Sequence, residues 1–481
     1  MKQRKIWFEI IIFTILFAVC LAGSYNVLRY KDMANGGGME GFYANKAPIE
    51  VVAFGSSHAG CTVNNSILWE KYGISSYTLW SGAQSIDGIY YFMEEAFRIN
   101  KPKVALVETL TFAWDTDDSS SLYKSALTTK FSTKYIDYIL WKAKENQYSR
   151  EFTEELLFRM PIVHSRYKEL KKEDFYNQRQ YNRGYSGSIE IQQLDPPEVT
   201  EDRAELPEHT LTYVDKMIKL CQEEGVELIF FNAPYKATAE DVAYQNTLGD
   251  YFGKKGITFF NMTHDYELYD INFSEDMREE SHLNNSGAAK VTNFLGGYLT
   301  EKCMLGNSDD LKKNDYSNWD IHTRFLEDKE IGDKLRACTD IDSYMKELND
   351  CKDNFTIVIA LNGDYKAIET YANKPDFGSL GLANNYENGE SVVLQKGTPI
   401  YASSQEEFQY HLDFEKNAEL NLFKNKDEEF AHVIINDEDI TSESSGFRIA
   451  VYDESCAVMI DAAYVDVYSG EQLIHDFGES N

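Results

Sequence analysis

Two stretches of this chain, far apart in sequence, carry side chains that could make and break acyl bonds. The first is Val51-Val52-Ala53-Phe54-Gly55-Ser56-Ser57-His58. The second is Glu279-Glu280-Ser281-His282-Leu283-Asn284-Asn285-Ser286-Gly287-Ala288. Serine is a weak nucleophile until a base takes its proton, and the base needs a third group to orient it. Ser57 supplies the hydroxyl, His282 the base, and Glu279, three residues before it, the orienting acid. Each is weak evidence alone, since Gly-Ser-Ser is commonly a turn and a histidine ahead of a helix commonly a solvated cap neighbour. The order of the pieces is more specific: strand, Gly-x-Ser, a small-residue turn after the next strand, then acid-x-x-His before the last helix.

The elements around these residues must present them. Four apolar residues, two of them β-branched, lead into Gly55, the pattern of a buried parallel strand with a sharp exit. Functional groups of open α/β sheets collect just beyond the carboxyl ends of such strands. Further strands are expected near residues 75–80, 103–110, 226–231 and 257–261, the first of them running into Ser81-Gly82-Ala83-Gln84-Ser85. Helices are expected near 86–100, 210–224, 241–253 and 286–304; in the second, Leu211, Val214, Met217, Ile218 and Cys221 share one face. This alternation predicts an α/β fold, a mostly parallel sheet flanked by helices. Residues 112–200 form a mostly helical insertion rich in Tyr, Lys and Arg, either a lid or substrate wall or simple packing. After a polar linker at 307–334, a helix near 340–348 and strands near 355–361, 391–394, 431–435, 446–451 and 465–468 predict a second, strand-rich α+β domain over 335–478.

The amino terminus places the whole body. Lys2, Arg4 and Lys5 precede an apolar run to about Leu28, broken early by Glu9. Basic residues before such a run keep the terminus in the cytoplasm and send the rest across. Residues 1–28 are therefore expected to be a single-pass signal anchor in the cell membrane, with Ala22-Gly23-Ser24 as the alternative, a cleavage site. A Gly-rich link, Gly36-Gly37-Gly38, follows. The chain carries 47 basic and 79 acidic residues, a net charge of −32, which excludes nucleic acid as a partner and argues against a basic membrane-binding face. The seven cysteines show no metal-ligand spacing, although Cys338 and Cys351 could bridge. No zinc, P-loop or dinucleotide signature occurs, so no metal or cofactor is expected.

The residues around the serine and the histidine resemble the SGNH (GDSL-type) hydrolase family. Gly55-Ser56-Ser57-His58 stands where that family carries Gly-Asp-Ser, and Glu279-Glu280-Ser281-His282 where it carries Asp-x-x-His. His282-Leu283-Asn284 followed by Gly287-Ala288 is similar to a membrane-anchored bacterial branch, that of D-alanine transfer to teichoic acid and of polysaccharide O-acetylation. The likeness covers residues 47–303. It implies a flavodoxin-like sheet, an acyl-enzyme on Ser57, and a triad of Ser57, His282 and an acid, with Asp276 a rival to Glu279. It also implies an oxyanion-hole glycine, which Gly82 fits. The family's Gly-x-Asn-Asp is absent; Gln84 or Asn232 could lend a side-chain donor beside the amides of Ser57 and Gly82, whereas Glu108 at the end of the third strand would repel an oxyanion if charged. The last domain is similar, more loosely, to the interleukin-like EMT inducer domain, through Phe355-Thr356-Ile357-Val358-Ile359-Ala360, Leu380-Gly381-Leu382 and Gly446-Phe447-Arg448-Ile449-Ala450-Val451-Tyr452-Asp453. That implies glycan binding, or an accessory module that only packs.

The expectation from these readings is an extracytoplasmic serine esterase or O-acyltransferase. It would act on hydroxyls of a polysaccharide or other cell-envelope glycan, with a membrane-bound O-acyltransferase as a possible partner. The alternative is a non-catalytic surface protein with a degenerate fold that binds glycan.

Overall fold

The computed structural model describes residues 2–30, 39–114, 119–170, 174–175, 183–306, 314–363, 367–368, 377–380, 391–414, 418–469 and 473–476. The Gly36-Gly37-Gly38 link, residues 307–313 of the expected linker, and Gly381-Leu382 lie outside the described residues. The chain divides into two compact units, Met1–His322 and Thr323–Asn481.

The first unit opens with α1 (Lys2–Leu28), in which Lys5–Leu28 is long and apolar enough to cross a membrane. After α2 (Met39–Ala44) the α/β alternation begins. It runs β1 (Val51–Gly55), α3 (Ser57–Thr62), α4 (Asn65–Tyr72), β2 (Ser76–Trp80), α5 (Ile86–Asn100) and β3 (Val104–Glu108). The insertion follows as α6 (Ser119–Thr128), α7 (Thr133–Glu145), α8 (Arg150–Phe158) and α9 (Met160–Val163). The alternation then resumes with α10 (Glu208–Glu224), β4 (Glu227–Asn232), α11 (Ala239–Lys255) and β5 (Thr258–Asn261). A two-stranded ribbon, β6 (Met277–Glu279) and β7 (His282–Leu283), leads into α12 (Asn285–Glu301).

β1 to β5 form one parallel sheet in the order β2-β1-β3-β4-β5, the doubly wound arrangement. Its central strands are buried on both faces, which is why they read as continuous apolar runs. Alternate residues serve opposite layers. Val52, Phe54, Ala105 and Val107 pack with Phe92, Met93 and Ala96 of α5 and Met217 of α10. Val51, Ala53, Val104 and Leu106 pack with Leu68 of α4 and Val291, Leu295 and Leu299 of α12. Each of the larger side chains, Val, Leu, Phe or Met, contributes about 1.5–3 kcal/mol on full burial.

Two expectations need correction. The insertion is helical through Lys168, but residues 185–207 form no helix or strand; they run as irregular chain beside the β6–β7 ribbon, with Gln192 N donating to Met277 O (2.9 Å) and Leu194 N to Phe273 O (3.0 Å). Polar and irregular backbone there is satisfied by the ribbon's free edge groups. The expected linker is in large part the helix Ser317–Ala337. Its charged composition conceals an aromatic anchor: Trp319 is buried, with Trp69 and Tyr316 packed around it at ring separations of 5.5 and 6.0 Å.

The second unit contains the helix Ile341–Cys351 and two antiparallel sheets. The larger has six strands, with Thr356–Asn362 and Gly446–Asp453 at its centre, both fully buried. One face packs on Ile341, Tyr344, Met345 and Leu348. The other packs on Leu420, Leu422, Val433 and Ile435 of the four-stranded sheet. All seven cysteines are free thiols, so Cys338 and Cys351 do not bridge.

Candidate active site

β1 delivers Ser57 to the carboxyl edge of the sheet. Gly55 lies against the neighbouring strand so closely that a Cβ there would stand 2.8 Å from the Cβ atoms of Glu108 and Ala59. The chain turns at Ser56, whose Oγ caps α3 by accepting from His58 N (3.3 Å). Ser57 is thereby the first residue of the helix, half-buried, with its hydroxyl free to face the loop that carries the histidine.

That loop is braced from below. Asp276 is fully buried; its carboxylate accepts from Asn272 N (2.7 Å), Ser286 Oγ (2.7 Å) and Lys290 Nζ (2.7 Å). Asn284 caps α12, accepting from Ser286 N (3.0 Å) and Gly287 N (3.2 Å). Between these fixed points β7 presents His282. His282 Nε2 lies 2.7 Å from Ser57 Oγ, and His282 Nδ1 donates to Glu279 Oε1. Glu279 Oε2 also accepts from Ser281 N (2.9 Å). Burial alone would raise the Glu279 carboxyl, but the Ser281 amide and His282 outweigh it and hold it below the usual range. Ser57, His282 and Glu279 thus form one hydrogen-bonded chain, and of the two rival acids it is Glu279, not Asp276, that reaches the histidine.

The residues around this chain differ from one another in what they can reach. Register sets Gly55 beside Trp80, and each of these strand ends is followed two residues later by Ser57 or Gly82. Neither the Ser57 nor the Gly82 amide donates to another group among the described residues. Gln84 is turned elsewhere: Ser81 Oγ and Ser125 Oγ (3.3 Å) both engage its Oε1. Asn232, at the end of β4, lies buried against the Glu108 carboxyl. Neither Gln84 nor Asn232 bonds to Ser57 or His282.

Two neighbours of the site carry no motif. His58 is buried, its ring 5.0 Å from that of His282 and edge-on to Tyr235 at 5.2 Å. Burial, and secondarily His282, holds His58 well below its usual range, so it stays neutral beside the base. Its position one residue after the serine was the available signal. Glu108 is also fully buried, and burial pushes its carboxyl up to about 8 against the opposing amides of Leu110 and Ala233 and the Asn232 side chain. At neutral pH it is mostly uncharged, which removes the repulsion expected of a carboxylate there.

No model of a known protein family matches this chain, and no curated protein matches it. The arrangement is therefore read from its own geometry. Among the described residues, no three metal-ligating side chains gather around Ser57; the two groups that do lie together, Asp328–Asp453–Cys456 and His411–Asp413–Glu419, belong to the second unit. In the first of these Arg324 Nε already stands 3.0 Å from Asp328 and 3.1 Å from Asp453, where a cation would sit.

Proposed function

We propose that this protein is an extracytoplasmic serine esterase or O-acyltransferase of SGNH type, acting on hydroxyls of a cell-surface or exported polysaccharide. The observation that carries the proposal is the continuous Ser57–His282–Glu279 hydrogen-bonded chain at the carboxyl edge of the sheet. Ser57 Oγ attacks the carbonyl carbon of an ester donor while its proton passes to His282 Nε2. The oxyanion that forms is met by the amides of Ser57 and Gly82. Glu279, held in its charged form, stabilises the imidazolium and fixes its orientation. His282 returns the proton to the leaving alkoxide, and the acyl group remains on Ser57. A sugar hydroxyl, or water, then gives its proton to His282 and attacks the acyl-serine, releasing the new ester or the free acid and restoring Ser57 O–H.

The amino-terminal helix favours transfer over hydrolysis: an enzyme that modifies a polymer during export must be held at the membrane, and a membrane-bound O-acyltransferase would supply the acyl group. The second reading, a non-catalytic glycan-binding protein, is favoured by one observation only. Gln84 and Asn232 do not reach Ser57, which leaves a hole of two backbone amides.

Intact-mass analysis after treatment with a fluorophosphonate decides between them. The catalytic reading expects a single adduct on Ser57, absent in Ser57→Ala. In His282→Ala the labelling rate is expected to fall by roughly 10²–10⁴-fold. A folded protein that takes no adduct at Ser57 overturns the enzyme reading and leaves the binding one.

A further inference from the structure

The helical insertion exposes large apolar side chains that acyl chemistry does not use. Phe158 is 72% exposed and Phe131 63%. They line one groove of about 480 Å³ together with Ala18, Leu21 and Tyr25 of α1. The arrangement is built, not incidental. Arg159 joins α8 to α9 at φ 58°, a left-handed conformation that a non-glycine residue adopts at a cost, directly after Phe158. Arg159 itself stacks on the Tyr135 ring (3.6 Å) and donates to Thr129 O (2.6 Å). Arg166 then ties the insertion to the end of α1, donating to Leu28 O (2.8 Å) and Arg29 O (2.9 Å).

Depth identifies what covers the groove. A bilayer core of about 30 Å takes roughly 20 helical residues. If the core begins just after Lys5 it ends near Tyr25; if Glu9 also stays at the inner interface, it ends near Arg29. In both placements Ala18 lies about 10 Å or more inside the outer boundary. Side chains that share a groove with Ala18 and Leu21 are then at the level of acyl chains, not of water. Charge does not oppose this: residues 120–170 hold nine basic and six acidic residues, and the whole insertion, 112–200, is close to neutral in a chain of net charge −32.

We propose that the insertion dips its Phe131–Phe158 face into the outer leaflet, where phospholipid acyl chains fill the groove beside α1. This rests on reading α1 as a spanning anchor. It makes the insertion a monotopic foot that fixes the height of the Ser57 edge above the membrane, in addition to the tether that α1 alone provides.

The test uses the full chain in nanodiscs of phosphatidylcholine and phosphatidylglycerol that include a phosphatidylcholine with a diazirine near the end of one acyl chain. Adducts are mapped by peptide after illumination. The expected result is labelling both within α1 and at Phe131 and residues 157–160. The double variant Phe131→Asp, Phe158→Asp is expected to lose about tenfold or more of the insertion adducts, since each buried aromatic carries a decade or more of partitioning, while α1 labelling stays. Labelled α1 with an unlabelled insertion overturns this proposal and leaves the anchor standing. An unlabelled α1 overturns both. A second copy or a membrane protein seated in the groove would exclude lipid and leave the insertion unlabelled, which overturns the proposal in the same way. Because the wild-type pattern alone decides, a variant that fails to fold does not weaken the test.

Discussion

Two acids precede His282 in the loop, and their environments divide the work between them. Glu279 touches the imidazole; Asp276 touches Lys290, Ser286 and the Asn272 amide. Glu279→Gln is therefore expected to slow acylation of Ser57 by roughly 10²–10⁴-fold while shifting stability by less than about 0.5 kcal/mol, its side chain being partly exposed. Asp276→Asn is expected to cost about 2 kcal/mol of stability, measured by urea unfolding, with the smaller effect on rate. The reverse pattern would make Asp276 the triad acid. Glu108 supplies a third test at this scale. Its carboxyl sits near 8 in the folded chain against an ordinary value of 4.5, so between those pH values the folded state holds a proton that the unfolded chain has released. Stability is then fully present below about 4.5 and falls as pH rises through that window, by at most about 1.4 kcal/mol per pH unit. Glu108→Gln should flatten this dependence. A variant that keeps the wild-type slope would assign it to another group.

The elements were legible where one local pattern decided them. Val51–Gly55 and Val104–Glu108 are buried on both faces, and only a continuous apolar run satisfies that. Ile86–Asn100 falls where its stripe of Ile89, Phe92, Met93 and Ala96 ends at Pro102. Ser57, His282 and Glu279 were legible because a strand edge and a single loop suffice to present them. Gln84 was not, because its amide is taken up by Ser81 in its own turn and by Ser125 on α6, a distant helix of the insertion. Asn232 comes beside the Glu108 carboxyl at the strand end, where the alternation of faces that register sets, pairing Glu108 with Phe231, no longer governs it. The helix Ser317–Ala337 was hidden because Trp319 and Tyr316 carry its anchoring against an otherwise charged sequence. Within α12 the same contrast of local and distant causes yields a prediction. A Cβ at Gly287 would meet Asp276 O at 2.5 Å and Leu283 Cδ2 at 2.8 Å, whereas at Gly297 it would meet nothing within 4 Å. Gly287→Ala should destabilise by about 1–3 kcal/mol and, by displacing β7, slow fluorophosphonate labelling. Gly297→Ala should stabilise by up to about 1 kcal/mol at unchanged labelling. Equal effects of the two would mean that the close approach beneath His282 does not position it.

At the scale of the whole molecule, the two units hold separate hydrophobic cores, and each contains its own buried acid. In the second unit Asp328 and Asp453 face one another across Arg324. Burial, and then the neighbouring Asp453, push Asp328 up to about 9. Burial would raise Asp453 too, but hydrogen bonds from Asp328, Ser455 and Arg324 hold it near 2. The pair therefore keeps one proton across the neutral range. Asp328 holds a proton that the unfolded chain releases near 3.8, so its contribution to stability is fully present below that value and is lost as pH rises toward 9. Asp453 acts in the opposite direction, its contribution being present above about 3.8 and lost as pH falls toward 2. Calorimetry from pH 5 to pH 9 should then resolve two transitions that both move down as pH rises, for two separate reasons. Glu108→Gln should flatten the pH dependence of one transition and Asp328→Asn that of the other. If either substitution flattened both transitions, or if one transition alone were seen and both variants shifted it, the two cores would be melting as a single cooperative body, and the division at Thr323 would describe contacts rather than folding.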